Sequence, residues 1–188
     1  MSEEKFLKNY FKDLKELLNI DLYLNDLLKT KKILGEINLG KKKIMIFGNG
    51  GSAAIASHFS VDISKNARIR CCNYNEYDLI TCFSNDYGYE KWVEKAIEFY
   101  GDEGDVLILI SAGGKSPNML NGAKKAKEKN FKSIITFTGN NKNNDLSQLG
   151  DINFWVDSKA YNHIENIHQI LLLSLVDLVI GKSVYPAN

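Results

Sequence analysis

A glycine-rich stretch near residue 50 holds the first residues whose types and spacing could do chemistry. It covers residues 48–52, GNGGS, and directly follows the short apolar run at 44–47. Glycine lets the backbone turn sharply after a strand, and the first amides of a following helix then point outward, where they can bind an anion. A connecting turn without a ligand is the alternative for this segment taken alone.

A second loop of the same kind covers residues 111–116, SAGGKS, after the apolar run at 106–110. It also precedes a predicted helix, so the hydroxyl groups and amides of the two loops can face one crevice and share the oxygens of a phosphoryl group. Lys115 could add charge there, but we expect it to be solvated. Together the two loops favour an anion site over two plain turns.

The first loop differs from the two common nucleotide-binding loops. Ala53 stands where the dinucleotide fingerprint Gly-x-Gly-x-x-Gly needs its third glycine, and no acidic residue clearly ends a second strand about 20 residues further on. A Walker loop would need Gly-Lys-Ser or Gly-Lys-Thr directly after this stretch, where the sequence has neither. We therefore expect a phosphorylated ligand and no nucleotide cofactor.

Polar side chains on two predicted helices could move protons or hold a cation. His58 and Asp62 are four residues apart, so they lie on one face of the helix that follows the first loop. Metal-binding pairs have this spacing, although an ordinary hydrogen-bonded pair is the more common reason for it. On the last predicted helix, Glu165, His168 and Gln169 form a second polar patch.

Strands must alternate with helices to position these groups. Short apolar runs predict strands at 44–47, 68–72, 106–110, 134–138 and 152–156. Apolar residues at helical spacing predict a helical segment from residue 3 to about 37, a helix after each of the two loops, and a last helix over 161–180. This order predicts an α/β fold with a doubly wound, mainly parallel five-stranded sheet flanked by helices, whose ligands bind beyond the carboxyl ends of the strands.

Composition narrows the class of protein. A length of 188 residues with 44% hydrophobic residues fits one domain over 1–188 with its own core. The 24 basic and 23 acidic residues give no net field for binding nucleic acid or a membrane. The three cysteines are odd in number and lack metal-ligand spacing, which fits a reducing compartment. Without a predicted signal peptide or an apolar run of membrane-spanning length, we expect a soluble, cytoplasmic protein.

Further motifs follow in order along the chain: GNGGSAA at 48–54, His58-Phe59, SNDYGY at 84–89, GDVL at 104–107, GKSPN at 114–118, Thr138-Gly139 and Ile167-His168. In this order and spacing the chain resembles the phosphoheptose isomerases, a branch of the sugar isomerase (SIS) domain superfamily that converts sedoheptulose 7-phosphate to glycero-manno-heptose 7-phosphate. The resemblance implies an SIS fold and a homotetramer, or else a dimer, with active sites between subunits. It also implies that the helical segment 1–37 is used in oligomer packing.

The resemblance implies substrate-binding roles for individual residues. The matching positions are Asn49, Gly50, Gly51, Asn85 and Asp86 for the sugar, and Ser52, Ser111, Gly113 and Ser116 around the phosphate. The family's Ser-Thr-Ser-Gly loop is here Ser111-Ala112-Gly113-Gly114, which removes two hydroxyls from the phosphate pocket. At about 0.5–1.5 kcal/mol per hydrogen bond, this loss would weaken binding about tenfold or more unless water or Lys115 compensates.

The positions that the resemblance makes catalytic depart further from the family. The family holds a zinc ion with four side chains, and the matching positions here are His58, Asp62, Glu165 and Leu173. Three of these could still hold one Zn²⁺ or other divalent cation per subunit, whereas Leu173 can neither bind a metal nor move a proton. Asp62 is one methylene shorter than the family's glutamate, and a displacement of about 1 Å can cost about a hundredfold in rate.

Two functions remain open from the sequence. The first is a phosphosugar isomerase with a rearranged site, in which Asp62 or Glu165 serves as base and His168 or His163 as its partner. The second is a phosphosugar-binding regulator or protein scaffold without turnover, similar to the replication-initiator-associating proteins, which resemble this family and also lack the catalytic glutamate and the last histidine. Both have a phosphorylated sugar as the ligand, and the second adds a protein partner.

Overall fold

A computed structural model describes residues 1–186 of the chain, which form seven α-helices and five strands. The helices are α1 Glu3–Leu17, α2 Leu24–Leu39, α3 Gly51–Lys65, α4 Tyr77–Tyr87, α5 Trp92–Tyr100, α6 Pro117–Glu128 and α7 Tyr161–Ile180. The strands are β1 Ile44–Gly48, β2 Cys71–Cys72, β3 Val106–Ser111, β4 Ser133–Thr138 and β5 Ile152–Trp155.

The five strands form one sheet in the order β2-β1-β3-β4-β5, and every neighbouring pair is parallel. The predicted α/β fold is therefore confirmed, with a sheet that is parallel throughout. The chain leaves β1 toward one edge of the sheet and then returns to add β3 on the other side of β1. This reversal creates a switch point between β1 and β3, and both predicted loops begin there.

Helices cover both faces of the sheet, as a doubly wound fold requires. β1 and β3 are buried along their whole length, so alternate side chains enter opposite layers of the core. Ile44 and Ile46 belong to the layer under α2, α3 and α7, whereas Met45 and Phe47 belong to the layer under α5 and α6. Burial on both faces holds the carboxyl ends of these two strands in place, and with them the loops that follow.

The sequence reasoning did not identify α4 and α5. The signal for α5 was present, because Trp92, Val93, Ala96 and Ile97 have helical spacing, and all four are buried. The edge strand β2 is shorter than predicted, and pairs with β1 through two residues.

The N-terminal helical segment consists of two helices joined by a short 3₁₀ turn, Ile20–Leu22. Within the described chain α1 has no buried residue, and it exposes Phe6, Leu7 and Phe11. Its apolar residues nevertheless lie on one side, and the Tyr10 ring contacts the His163 ring of α7 with centroids 4.2 Å apart. The use of this segment in oligomer packing stays a prediction.

The last helix, α7, has the predicted bounds. By length and composition it could cross a membrane, a property that the sequence analysis did not expect of any segment. In the folded chain it packs against α2 and α3, and 44% of its most apolar window is buried. Leu171, Leu172 and Leu175 belong to the core layer under α3, so α7 has the character of a core helix.

Candidate functional site

A cavity of about 400 Å³ opens at the carboxyl ends of β1 and β3. Both predicted loops line it, together with the first two turns of α7. The lining residues are Asn49, Ser52, Ile110, Ser111, Ala112, Gly113, Lys115, Ser116, Tyr161 and Glu165. The structure thus brings the two loops to one crevice, as predicted, and adds Tyr161, which the sequence reasoning missed.

Three serines form one side of this cavity, which we call the serine cup: Ser52, Ser111 and Ser116. Ser52 is 4% exposed and Ser111 6% exposed, so their positions are set by the surrounding core. The hydroxyl oxygens of Ser111 and Ser116 are 3.1 Å apart. Ser116 precedes α6 without capping it through its side chain, so its hydroxyl interacts with Ser111 instead of its own helix. Neutral donors at two helix N-termini can bind a phosphate group.

Asn49 is held in place beside the serine cup by two side chains. Its amide exchanges two hydrogen bonds with the amide of Asn118, at 3.1 and 2.9 Å, and its oxygen also accepts from the Tyr89 hydroxyl at 3.0 Å. Asn118 is 1% exposed. In the sequence, Asn118 was noted only as part of the GKSPN motif. Its place in the first turn of α6, directly after Pro117, is the one local sign that its side chain could face the cavity end of the sheet.

Gly51 makes room for a carboxylate at the start of α3. A side-chain carbon at Gly51 would collide with the carboxylate of Glu165, so the absence of a side chain lets Glu165 lie against the helix N-terminus. An anion is stabilised there by the helix dipole. Because Glu165 also lines the cavity, its oxygens are placed to accept hydrogen bonds from a sugar.

Farther along α3 and α7, three polar side chains form what we call the relay: His58, Asp62 and Gln169. The His58 Nε2 atom lies 3.4 Å from Asp62 Oδ2, and the Gln169 Nε2 atom lies 3.5 Å from His58 Nδ1. The side chains of His58 and Asp62 are 48% and 29% exposed, so solvent or a ligand can reach both. The predicted pairing of His58 with Asp62 is therefore observed, with Gln169 as a third member.

The three predicted cation ligands do not come together. Glu165 contacts Gly51, which precedes His58 by seven residues, a rise of about 10 Å along α3. Among residues 1–186 no group of three His, Cys, Asp or Glu side chains could hold a metal ion. A catalytic zinc site has three protein ligands, and only His58 and Asp62 are adjacent here. The three ligands named from the sequence, His58, Asp62 and Glu165, therefore do not together form the cation site that the resemblance implies.

The two other histidines lie away from the cavity. His168 is fully buried, its Nε2 atom is 3.1 Å from the Thr138 carbonyl oxygen, and its ring packs edge-on against Phe137. Burial lowers the pKa of His168 to about 4, so the ring is neutral near pH 7. His163 is buried beneath the Tyr10 ring. Neither ring lines the cavity, and the histidine that contacts Asp62 is His58. A catalytic role for His168 or His163 stays a prediction that this geometry does not favour.

The predicted sugar contacts Asn85 and Asp86 are also outside the cavity. Both are exposed on α4, where the Asn85 amide donates to Asp86 Oδ1 at 3.0 Å. The same segment approaches the cavity through Tyr89, which follows α4 and contacts Asn49. A sugar contact by Asn85 or Asp86 stays a prediction, and it would fit a site that lies between subunits.

Comparison with known proteins agrees with this geometry. The SIS domain family matches residues 9–139. The chain is 31% identical over 183 residues to a phosphoheptose isomerase of Buchnera aphidicola, covering 92% of this chain and 90% of that protein. It is 32% identical over 166 residues to one of Campylobacter jejuni, covering 85% and 88%. The structure of a phosphoheptose isomerase from Francisella tularensis has the same fold, with a TM-score of 0.88, 23% identity, and coverage of 97% and 100%.

Proposed function

Because the chain belongs to the SIS domain family and, within it, to the phosphoheptose isomerases, we propose that it interconverts an aldose and a ketose phosphate of the sedoheptulose 7-phosphate type. The observation that carries the proposal is the serine cup, in which the Ser111 and Ser116 hydroxyls lie 3.1 Å apart in a cavity of about 400 Å³. The cup receives the phosphate group of the substrate.

The distance along α3 from the cup to the relay supports a long substrate. Ser52 and His58 are six residues apart, which is a rise of about 9 Å along the helix. A sugar phosphate held at the cup can therefore reach the relay only as an extended open chain. This spacing favours a long sugar over a short one.

The reaction needs a base for the carbon-bound proton and an acid for the enediolate oxygen. In the proposed mechanism the base takes a proton from the carbon beside the carbonyl group, and the proton returns to the neighbouring carbon, so no proton is gained or lost. Asp62 and Glu165 are the two carboxylates beside the proposed substrate path, and the His58 ring contacts Asp62. We assign the base to Asp62, because the neighbouring His58 ring can hold its carboxylate in place.

Turnover of sedoheptulose 7-phosphate tests this proposal. We expect purified protein to convert it to an aldose phosphate, and an Asp62→Ala variant to lose the activity. Ser183→Ala, which changes an exposed serine of the C-terminal tail, is the control and should match wild type. If wild-type protein shows no more conversion than Asp62→Ala, the isomerase proposal fails.

A second function is favoured by the residues that line the site. Ala112 lines the cavity at a position where the family has a hydroxyl. Leu173 occupies a position where the resemblance implies a metal ligand that also carries protons. These features suit a phosphosugar-binding regulator without turnover. In that case sedoheptulose 7-phosphate would raise the thermal unfolding midpoint of the wild-type protein while remaining unconverted.

We also propose that the protein is cytoplasmic and assembles as a homotetramer, with a dimer as the smaller alternative. The exposed apolar side chains of α1 and the outward position of Asn85 and Asp86 support packing between subunits. Light scattering after size-exclusion chromatography would measure the mass. A monomer at micromolar concentration would contradict the proposed assembly.

A further inference from the structure

The contacts of the relay constrain which of its atoms donate hydrogen bonds and which accept them. His58 Nε2 faces the Asp62 carboxylate at 3.4 Å, and a carboxylate can only accept hydrogen bonds. A neutral imidazole carries its hydrogen on one ring nitrogen, so contact with Asp62 favours the hydrogen on Nε2. The other ring nitrogen, Nδ1, must then accept a hydrogen bond. Gln169 places an amide nitrogen 3.5 Å from Nδ1, and an amide nitrogen can only donate.

The opposite orientation of the Gln169 amide would conflict with Asp62. If the amide oxygen faced the ring, Nδ1 would carry the hydrogen, and the Nε2 lone pair of a neutral His58 would face the carboxylate of Asp62. Two acceptors in contact repel each other. The orientation in which Gln169 donates therefore satisfies all three side chains at once.

We propose that Gln169 is a positioning residue that fixes His58 in the tautomer with hydrogen on Nε2, so that this hydrogen is directed at Asp62. The inference rests on the proposed isomerase function and adds a residue to it. Gln169 does not touch the reacting atoms, but acts through His58. The His58 hydrogen bond then leaves one oxygen of Asp62 free for the substrate and holds the carboxylate in one orientation.

Orientation matters at this site because Asp62 is a short side chain. His58 is exposed and Asp62 is half-buried, so both side chains can rotate unless a neighbour holds them. A misplacement of about 1 Å can cost about a hundredfold in rate. The distances of 3.4 and 3.5 Å are long for hydrogen bonds, but such contacts are often long in a free enzyme and shorten when substrate binds.

The tautomer of His58 can be measured without turnover, by long-range ¹H–¹⁵N NMR correlations at a pH where the ring is neutral. The chain has three histidines, and a His58→Gln variant assigns the signal. In wild type we expect the hydrogen on Nε2. In Gln169→Leu we expect a mixture of tautomers. Gln148→Leu makes the same chemical change at an exposed site on another segment, and should leave the His58 signal unchanged.

Two NMR results would overturn the inference: hydrogen on Nδ1 in wild type, or the same tautomer ratio in wild type and Gln169→Leu. Neither depends on activity, so a failed isomerase assay would remove the catalytic purpose of the contact but leave the tautomer of His58 and the role of Gln169 in fixing it to be decided by NMR. In the active enzyme, Gln169→Leu should lower kcat by about tenfold to a hundredfold with little change in KM. A rise in KM at unchanged kcat would instead assign Gln169 to substrate binding and reject the positioning role.

Discussion

The serine cup and the relay share α3, through Ser52 in the cup and through His58 and Asp62 in the relay, but they are held in different ways. The cup lies where β1 and β3 end, two strands buried on both faces, and Ser52 and Ser111 are almost fully buried. The relay consists of exposed or half-buried side chains on two helices, with atoms of neighbouring members 3.4 and 3.5 Å apart. The positions of the cup hydroxyls are therefore set by the backbone, whereas the positions of the relay side chains are set by their contacts with each other.

Because of this difference, we expect the two regions to tolerate different substitutions. A cup made of several hydroxyls loses affinity by steps, because each hydrogen bond contributes about 0.5–1.5 kcal/mol. A relay of three side chains loses its arrangement when one member changes. The departures that the resemblance implies follow this division, since Ala112 stands where the family has a hydroxyl, whereas Asp62 and Leu173 stand at the positions that the resemblance makes catalytic.

The largest expected effect comes from removing the base. Asp62→Asn keeps the shape of the side chain but removes its basic oxygen, so we expect kcat to fall by about 10²–10⁴-fold while binding of the sugar phosphate stays near wild type. Steady-state kinetics and a direct binding measurement check this. Glu165→Gln is the matched comparison, because it makes the same change at the carboxylate that lines the cavity. If Glu165→Gln abolishes turnover and Asp62→Asn does not, the base is Glu165 rather than Asp62.

The second effect is a loss of stability at low pH, which comes from His168 on the core face of α7. His168 has a pKa of about 4 in the folded state against about 6.5 when unfolded, so below pH 6.5 the unfolded chain binds a proton that the folded chain does not. This destabilises the fold progressively from pH 6.5 to 4, by up to about 3 kcal/mol.

Urea unfolding at pH 7 and pH 4.5 would measure this pH effect. The variant His168→Phe should lose that part of the pH dependence, whatever it does to stability at pH 7. An equally steep loss of stability in His168→Phe would show that other groups are responsible.

The third effect tests whether the backbone holds the cup. A side-chain carbon at Gly48 would collide with the backbone of Ser52, so Gly48→Ala must shift the loop. We expect a loss of about 1–3 kcal/mol in the free energy of unfolding, with loss of sugar phosphate affinity. Gly35→Ala in α2 is the matched control, because nothing lies within 4 Å of an added carbon there. It should stabilise the protein by up to about 1 kcal/mol. Unchanged ligand affinity in a folded Gly48→Ala would mean that the cup adapts.

The smallest effect is a single hydroxyl in the cup. Ser111→Ala removes one hydrogen-bonding group, and we expect affinity for inorganic phosphate or a sugar phosphate to fall up to about tenfold, with kcat nearly unchanged. Isothermal titration calorimetry would measure it against Ser183→Ala. A fall in kcat without a change in affinity would move Ser111 from binding to catalysis.

Much of the fold could be predicted because the signals for it are local. The apolar runs of β1, β3 and β4 and the long apolar pattern of α7 gave bounds close to those observed. The helices α4 and α5 were not predicted: α4 has no buried residue in the described chain, and α5 is only nine residues long, although its buried residues have helical spacing. The segment from residue 3 to about 37 was predicted as one or two helices, because the apolar periodicity continues through residues 18–23, and the structure has two.

The candidate site could be predicted only in part. The serine cup was predicted because two glycine-rich loops after neighbouring parallel strands must meet at one edge of the sheet. The position of Glu165 against Gly51, away from His58, was not, since residue spacing within one helix says nothing about its height relative to another. Gln169 was seen as polar, but its contact with His58 depends on how α7 packs on α3.

The kind of fold, the two loops and the crevice between them could be predicted from the sequence, because strand periodicity and glycine turns act over a few residues. The tertiary structure alone decided which side chains of α3 and α7 meet. The packing of these helices places Gln169 next to His58 and Glu165 next to Gly51, and it buries His168 in the core. The physical reason is that contacts between helices depend on relative rotation and height, which are set by the packing of the whole core.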